Sequence, residues 1–241
     1  MTFKSILFPD KEFSSQEELF QELKNNEKEL IEAKKNQIYK SHEKGQISAI
    51  NLDASKISGA LKEIGFDAKD DHIYPIISTT NYFDSHKDVH FNGSMTKTAK
   101  EQQGKVSYAL DHELKYNSIL AFPKYVKMFI AEIPWGLVGK SYEGKTQALI
   151  FGIAKENIRN QNVLKDIEEK NAEFENSIRM RYFKIFMGIN SSSKQYVLNK
   201  QYYDKHINSI VNKKDVAKDG YFFGVEELGI WKEGSLVVAG G

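Results

Sequence analysis

The hydrophobic period of this chain changes once, near residue 46, and that change limits the fold more than any single motif does. Over residues 14–42 apolar side chains recur at intervals of three, four and seven: Leu19, Phe20, Leu23, Leu30, Ile31 and Ile38. Charges of both signs fill the other faces and no Pro or Gly interrupts, so the spacing predicts a helix. Ser14 and Ser15 stand three residues before Glu17 and Glu18, the spacing of a capping box. The apolar stripe is thin for a core helix. Residues 1–45 therefore read as a helical arm that packs on the body or on a partner, with a loop over 40–46.

Beyond the arm the runs shorten. Segments 47–52, 73–80, 106–110, 125–133, 148–153, 181–189 and 229–238 are rich in Ile, Val, Tyr and Phe and are bounded by Gly, Asn, Asp or Pro, as strands are. Two helices interrupt them, over 163–174 and 196–218, the second stopping at Gly220. Mostly antiparallel strands with few helices make an α+β body, 46–241, built on a barrel or sandwich and not on a doubly wound sheet.

Composition closes several routes to function. With 34 Lys+Arg against 33 Asp+Glu the net charge is +1, too small a field to hold nucleic acid or an anionic membrane without a local patch. The chain has no cysteine, which excludes a disulfide framework, a Cys-ligated metal and a cysteine nucleophile. The first residues carry too short an apolar run for a signal peptide, and no stretch approaches a membrane span. What survives is the expectation of a soluble, intracellular, fairly polar protein, and composition alone says no more.

Most motifs fail on their setting. Gly139-Lys-Ser-Tyr-Glu-Gly144-Lys145-Thr146 matches the phosphate-binding loop, but that loop must open a helix, and the following Gln147-Ala-Leu-Ile-Phe-Gly152 reads as a strand. His112-Glu113 starts a zinc-protease motif whose second histidine is replaced by Tyr116. Asp84, His86, Asp88 and His90 offer four ligand types in seven residues, yet the His pair converges only on a helix and the surroundings read as a loop, so no metal is expected. Ser191–Ser193 is a loop signal, and no G-x-S-x-G elbow occurs.

One pair remains. His112 follows an apolar strand, and Ser177 stands where a helical segment gives way to the strand starting at Arg181. A histidine within about 3 Å of a serine hydroxyl can take its proton, provided a third group orients the imidazole. The letters alone do not bring the two together.

A resemblance does. The order of Asp84-Ser-His-Lys-Asp88-Val, Gly93, Asp111-His112, Gly144-Lys-Thr-Gln-Ala-Leu-Ile, Asn176-Ser177-Ile-Arg-Met-Arg-Tyr-Phe-Lys-Ile, Gly220-Tyr-Phe-Phe and Glu227 ahead of Glu233-Gly-Ser-Leu-Val resembles the tailed-phage prohead (capsid maturation) protease family. The similarity runs over most of the chain, including the arm's Glu29-Leu-Ile-Glu-Ala-Lys-Lys35. It implies an assemblin-like fold, a compact β-barrel flanked by helices. It also implies a serine endopeptidase that acts in the prohead, assembled in the bacterial cytoplasm, on scaffold or major capsid protein, with self-association among its expected contacts and no cofactor. Carried across, Ser177 is the nucleophile, His112 the general base, and Glu227, in preference to Glu226, the acid that holds the imidazole. The oxyanion would be met by backbone amides near the serine, with Arg179 and Arg181 adding to the field. Asp88 is expected to be structural and Asp111 to face away from His112. Asn176 stands where relatives commonly have His, and Arg179 where many have Gly; these departures support a second reading, a non-catalytic assembly protein that keeps the fold. The end at Gly241, directly after an apolar strand, fits either an artificial boundary or a self-processed terminus, and the letters do not choose between them.

Overall fold

The computed structural model describes residues 2–40, 51–52, 54–169 and 174–238. The domain boundary expected at 45/46, the loop of 40–46 apart from Lys40, most of the strand expected at 47–52, and Gly241 lie outside them.

The expected long helix is two helices, α1 (Gln16–Asn25) and α2 (Glu27–Asn36). Ser15 caps α1 by accepting from Glu18 N at 3.1 Å, and Glu18 in turn accepts from Ser14 N at 2.7 Å. Asn26 divides the two without Pro or Gly: its side chain donates to the Glu22 carbonyl at 2.8 Å and so competes with the helix ladder. The thin stripe is buried on the body. Leu19, Phe20 and Leu23 pack with Met187, Ile189, Tyr196, Tyr221 and Phe223, beside the short pair β1 (Phe3–Lys4) and β2 (Glu12–Phe13). A buried ion pair, Lys34 Nζ to Asp88 Oδ1 at 2.5 Å, fastens α2 to the body.

Two larger sheets form that body. One holds β4 (Asn51–Leu52), β5 (His72–Thr79), β10 (Lys145–Ala154) and β9 (Lys127–Pro134) in that spatial order, all antiparallel. The other runs β3 (Tyr39–Lys40), β11 (Phe174–Ile189), β12 (Tyr221–Val238), β7 (Ser107–Leu110) and β8 (Ile119–Ala121), with β6 (Asp88–His90) also on β12. The facing sides meet in the main core, where Ile77, Leu149 and Phe151 oppose Ile178, Met180, Tyr182, Val225 and Leu236. Helix α3 (Ala54–Glu63) covers the far side of the smaller sheet through Ile57 and Leu61, and α6 (Val197–His206) and α7 (Lys213–Asp219) cover the lower end of β11 and β12. Helices α4 (Thr96–Glu101) and α5 (Gln161–Glu169) complete the set of described helices.

The class is α+β. The expected barrel is not seen: among the described residues neither sheet closes on itself, because the free side of β12 is divided between two parallel partners, β6 and β7, and pairing ends at β8. The helix expected over 196–218 breaks at Ile207–Ser209, where Asn212 turns to hold the backbone of Phe83 from both sides, at 2.8 and 2.9 Å. No described helix is long and apolar enough to cross a membrane.

Candidate active site

The site is built where β7, β11 and β12 lie side by side. Strand β7 ends at Leu110, and the chain reverses at once: Glu113 N donates to the Leu110 carbonyl at 3.0 Å. Asp111 and His112 fill the turn with φ of 51° and 58°, the pattern of a type I′ turn. Asp and His tolerate this left-handed region better than most residues with a Cβ. The turn buries His112 and leaves Asp111 exposed. Its backbone is tied to β12 by Asp111 N to the Leu236 carbonyl at 2.9 Å and by His112 N to Ser235 Oγ at 3.2 Å.

Ser177 lies within β11, opposite Ser235 of β12, and not at a helix-to-strand junction. Its strand neighbours Ile178, Met180 and Tyr182 belong to the main core. Asn176, on the other side of Ser177, accepts from the buried Tyr108 hydroxyl at 2.7 Å. Ser177 Oγ stands 2.7 Å from His112 Nε2.

The third member is Glu233. Its Oε1 lies 2.8 Å from His112 Nδ1, and neither carboxylate nor imidazole is accessible to solvent. An ionised carboxylate can only accept, so this contact places the imidazole proton on Nδ1 and leaves Nε2 to accept from the serine hydroxyl. The remaining needs of a buried carboxylate are met on both oxygens. Ser235 donates to Oε2, and Arg179 Nε forms an ion pair with Oε1 at 3.1 Å. Arg179 also donates from a terminal nitrogen to the His112 carbonyl at 2.6 Å.

Glu227, the acid expected here, is elsewhere. It pairs with β11 opposite Lys184, seven residues from Ser177, or roughly 20 Å along a strand. Its carboxylate bridges Lys97 at 2.8 Å and Lys184 at 2.9 Å, and those lysines, Lys97 foremost, hold its acidity at about 2. Glu226 is exposed. A bulge supplies Glu233 instead. The ladder pairs Ile178 with Gly234 and then Met180 with Ile230, so Trp231, Lys232 and Glu233 stand opposite the single residue Arg179. Lys232 takes a φ of 69° to make room for them. The signal in the sequence was a glutamate inside the apolar run 229–238, which a buried strand tolerates only with partners.

The other candidates resolve in the same terms. Thr146 belongs to β10 and exchanges hydrogen bonds with the Thr80 backbone, at 2.9 and 3.1 Å, so no helix opens at the Gly139–Gly144 connection to receive phosphate. Asp84, Asp88 and His90 join a buried polar network: Asp88 takes Lys34 and, at 3.0 Å, the Tyr182 hydroxyl, which lies 3.1 Å from His90 Nε2. Among the described residues no three His, Asp or Glu side chains are grouped to hold a metal ion. Arg181 sits over Trp231, its guanidinium carbon 4.0 Å from the ring centroid.

Comparison with family models, with curated proteins and with solved structures finds no match.

Proposed function

We propose that this chain is a serine endopeptidase with Ser177 as nucleophile, His112 as general base and Glu233 as the acid that orients it. The observation that carries this is the continuous line of contacts from Ser177 Oγ to Nε2 at 2.7 Å and from Nδ1 to Glu233 at 2.8 Å. A proton relay needs that alignment, with the acid buried and the base in the correct tautomer. Ser177 Oγ would add to a peptide carbonyl while its proton passes to His112 Nε2; the imidazolium, stabilised by Glu233, would then protonate the leaving amine. Water repeats the sequence on the acyl-enzyme and restores the serine.

The resemblance to prohead proteases extends the proposal to substrate and place: scaffold or capsid protein, cut during head maturation inside an immature phage capsid. On this reading the two open sheets stand in for the assemblin-like barrel. The near-neutral charge suits a protein substrate. Incubating the purified protein with its capsid and scaffold proteins should yield discrete fragments that Ser177→Ala abolishes. Equal cutting by that variant sinks the proposal.

One observation favours the alternative of a non-catalytic assembly protein: Ser177 is 0% exposed. A nucleophile without accessible surface reaches substrate only after the chain over it moves, so the enzyme reading requires an opened form. Labelling of Ser177 by a fluorophosphonate would separate the two. Labelling that rises on mixing with capsid protein supports the enzyme, and none under any condition supports the assembly protein.

A further inference from the structure

Arg179 is a charged side chain that touches two parts of the relay at once. Its Nε is 3.1 Å from Glu233 Oε1, the same oxygen that meets His112 Nδ1 at 2.8 Å, and its terminal nitrogen donates to the His112 carbonyl at 2.6 Å. The geometry gives it two tasks. A terminal nitrogen of the guanidinium holds the left-handed backbone at His112 in place by a hydrogen bond, while Nε, which makes an ion pair without a hydrogen bond, sets its positive charge against the Glu233 carboxylate whose other oxygen takes the Ser235 hydroxyl. The β12 bulge of residues 231–233 exists opposite this one residue of β11, so the acid and the arginine reach each other because the ladder is interrupted there.

We infer that Arg179 is a positioning residue of the relay, acting through Glu233 and the His112 turn, with no contact to substrate. The inference rests on the endopeptidase reading. A planar guanidinium suits this, because one nitrogen must meet the carbonyl while the charge stays beside the carboxylate, and a lysine ammonium offers a single point. The cation also offsets part of the Glu233 charge as seen by His112. Arg179 therefore sets the strength of the Nδ1–Glu233 hydrogen bond as well as its direction.

Two readouts test this. The first is the proton resonance of the His112 Nδ1–H, which a hydrogen bond to a buried carboxylate moves far downfield. Glu233→Gln should abolish it, and Arg179→Gln and Arg179→Lys should shift or broaden it while Glu227→Gln leaves it unchanged. The second is labelling of Ser177 by a fluorophosphonate, followed as a function of probe concentration. Arg179→Gln should lower the maximal rate on the order of 10²-fold with half-saturation unchanged, as expected when a catalytic group is misplaced by an ångström or so. Arg179→Lys should recover only part. If Arg179→Gln does not fold, Arg179→Lys carries both measurements. A resonance and a labelling rate unmoved by either variant overturn the inference. Absence of labelling in the wild type under any condition, capsid protein present included, overturns the endopeptidase reading instead, and the resonance then still reports whether Arg179 holds the pair.

Discussion

Glu233 Oε1 lies 2.8 Å from His112 Nδ1, and the two side chains are buried together on neighbouring strands of one sheet. Replacing Glu233 by Gln preserves shape but offers a donor or a weak acceptor where the imidazole needs a carboxylate. Peptide cleavage by Glu233→Gln should fall on the order of 10⁴-fold, the cost of a wrong tautomer in a serine relay. Glu227→Gln, by contrast, should leave kcat/KM unchanged, since its partners are the surface lysines 97 and 184. Steady-state rates of the two variants on one substrate make the comparison.

Lys34 should be expensive to lose. Its ion pair with Asp88 is almost wholly excluded from water, and Asp88 would be left buried beside the Tyr182 hydroxyl without its cation. Lys34→Met should cost about 3–5 kcal/mol, the usual penalty for breaking a buried pair from one side. Urea denaturation measures it, and adding Asp88→Asn should return part of the loss by removing the stranded charge.

Acid should weaken the protein through His90. Burial pulls its imidazole down to about 4, with the Asp88 charge pulling the other way. Between about 6.5 and about 4 the unfolded chain binds a proton that the folded chain refuses, so stability falls with pH across that window and levels off below it. The full contribution is about 3 kcal/mol. Asp84 opposes it, because burial and the neighbouring Asp88 push its carboxyl well up and favour its protonated form in the fold. His90→Gln should therefore flatten the decline measured by denaturation at a series of pH values; a curve parallel to wild type would refute the assignment.

Asn212 is a side chain standing in for a strand partner. It accepts from Phe83 N and donates to the Phe83 carbonyl, both buried. Asn212→Ala leaves those two groups unpaired at about 1–3 kcal/mol each, which a lowered melting temperature would show.

What could be read before folding follows from the range of each force. The strands over 73–80, 148–153 and 181–189 announce themselves because apolar, β-branched runs are local signals, and the structure has β5, β10 and β11 there. Helix α3 escaped notice because Gly59, Ser55 and Ser58 look like turn residues, while its burial comes from the sheet that Ile57 and Leu61 reach. The division at Asn26 goes with two hydrogen bonds from its side-chain amide to Glu22, which no periodicity records. Ser177 and His112 were nameable through the order of short segments. Glu233 was not, because a bulge is a property of two strands together: counting along β12 alone does not reveal that three of its residues face one of β11.

That same ladder has a consequence for safety inside a cell. Ser177 and Glu233, the proposed nucleophile and acid, ride on two adjacent long strands, 16 and 18 residues in length, and His112, the proposed base, hangs from a third that pairs with the second. A slip of one residue between the strands would send Ser177 and Glu233 to opposite faces and leave the hydroxyl inert. On the endopeptidase reading, chemical competence is thereby a certificate of correct assembly: a misregistered chain has all three residues and no catalyst.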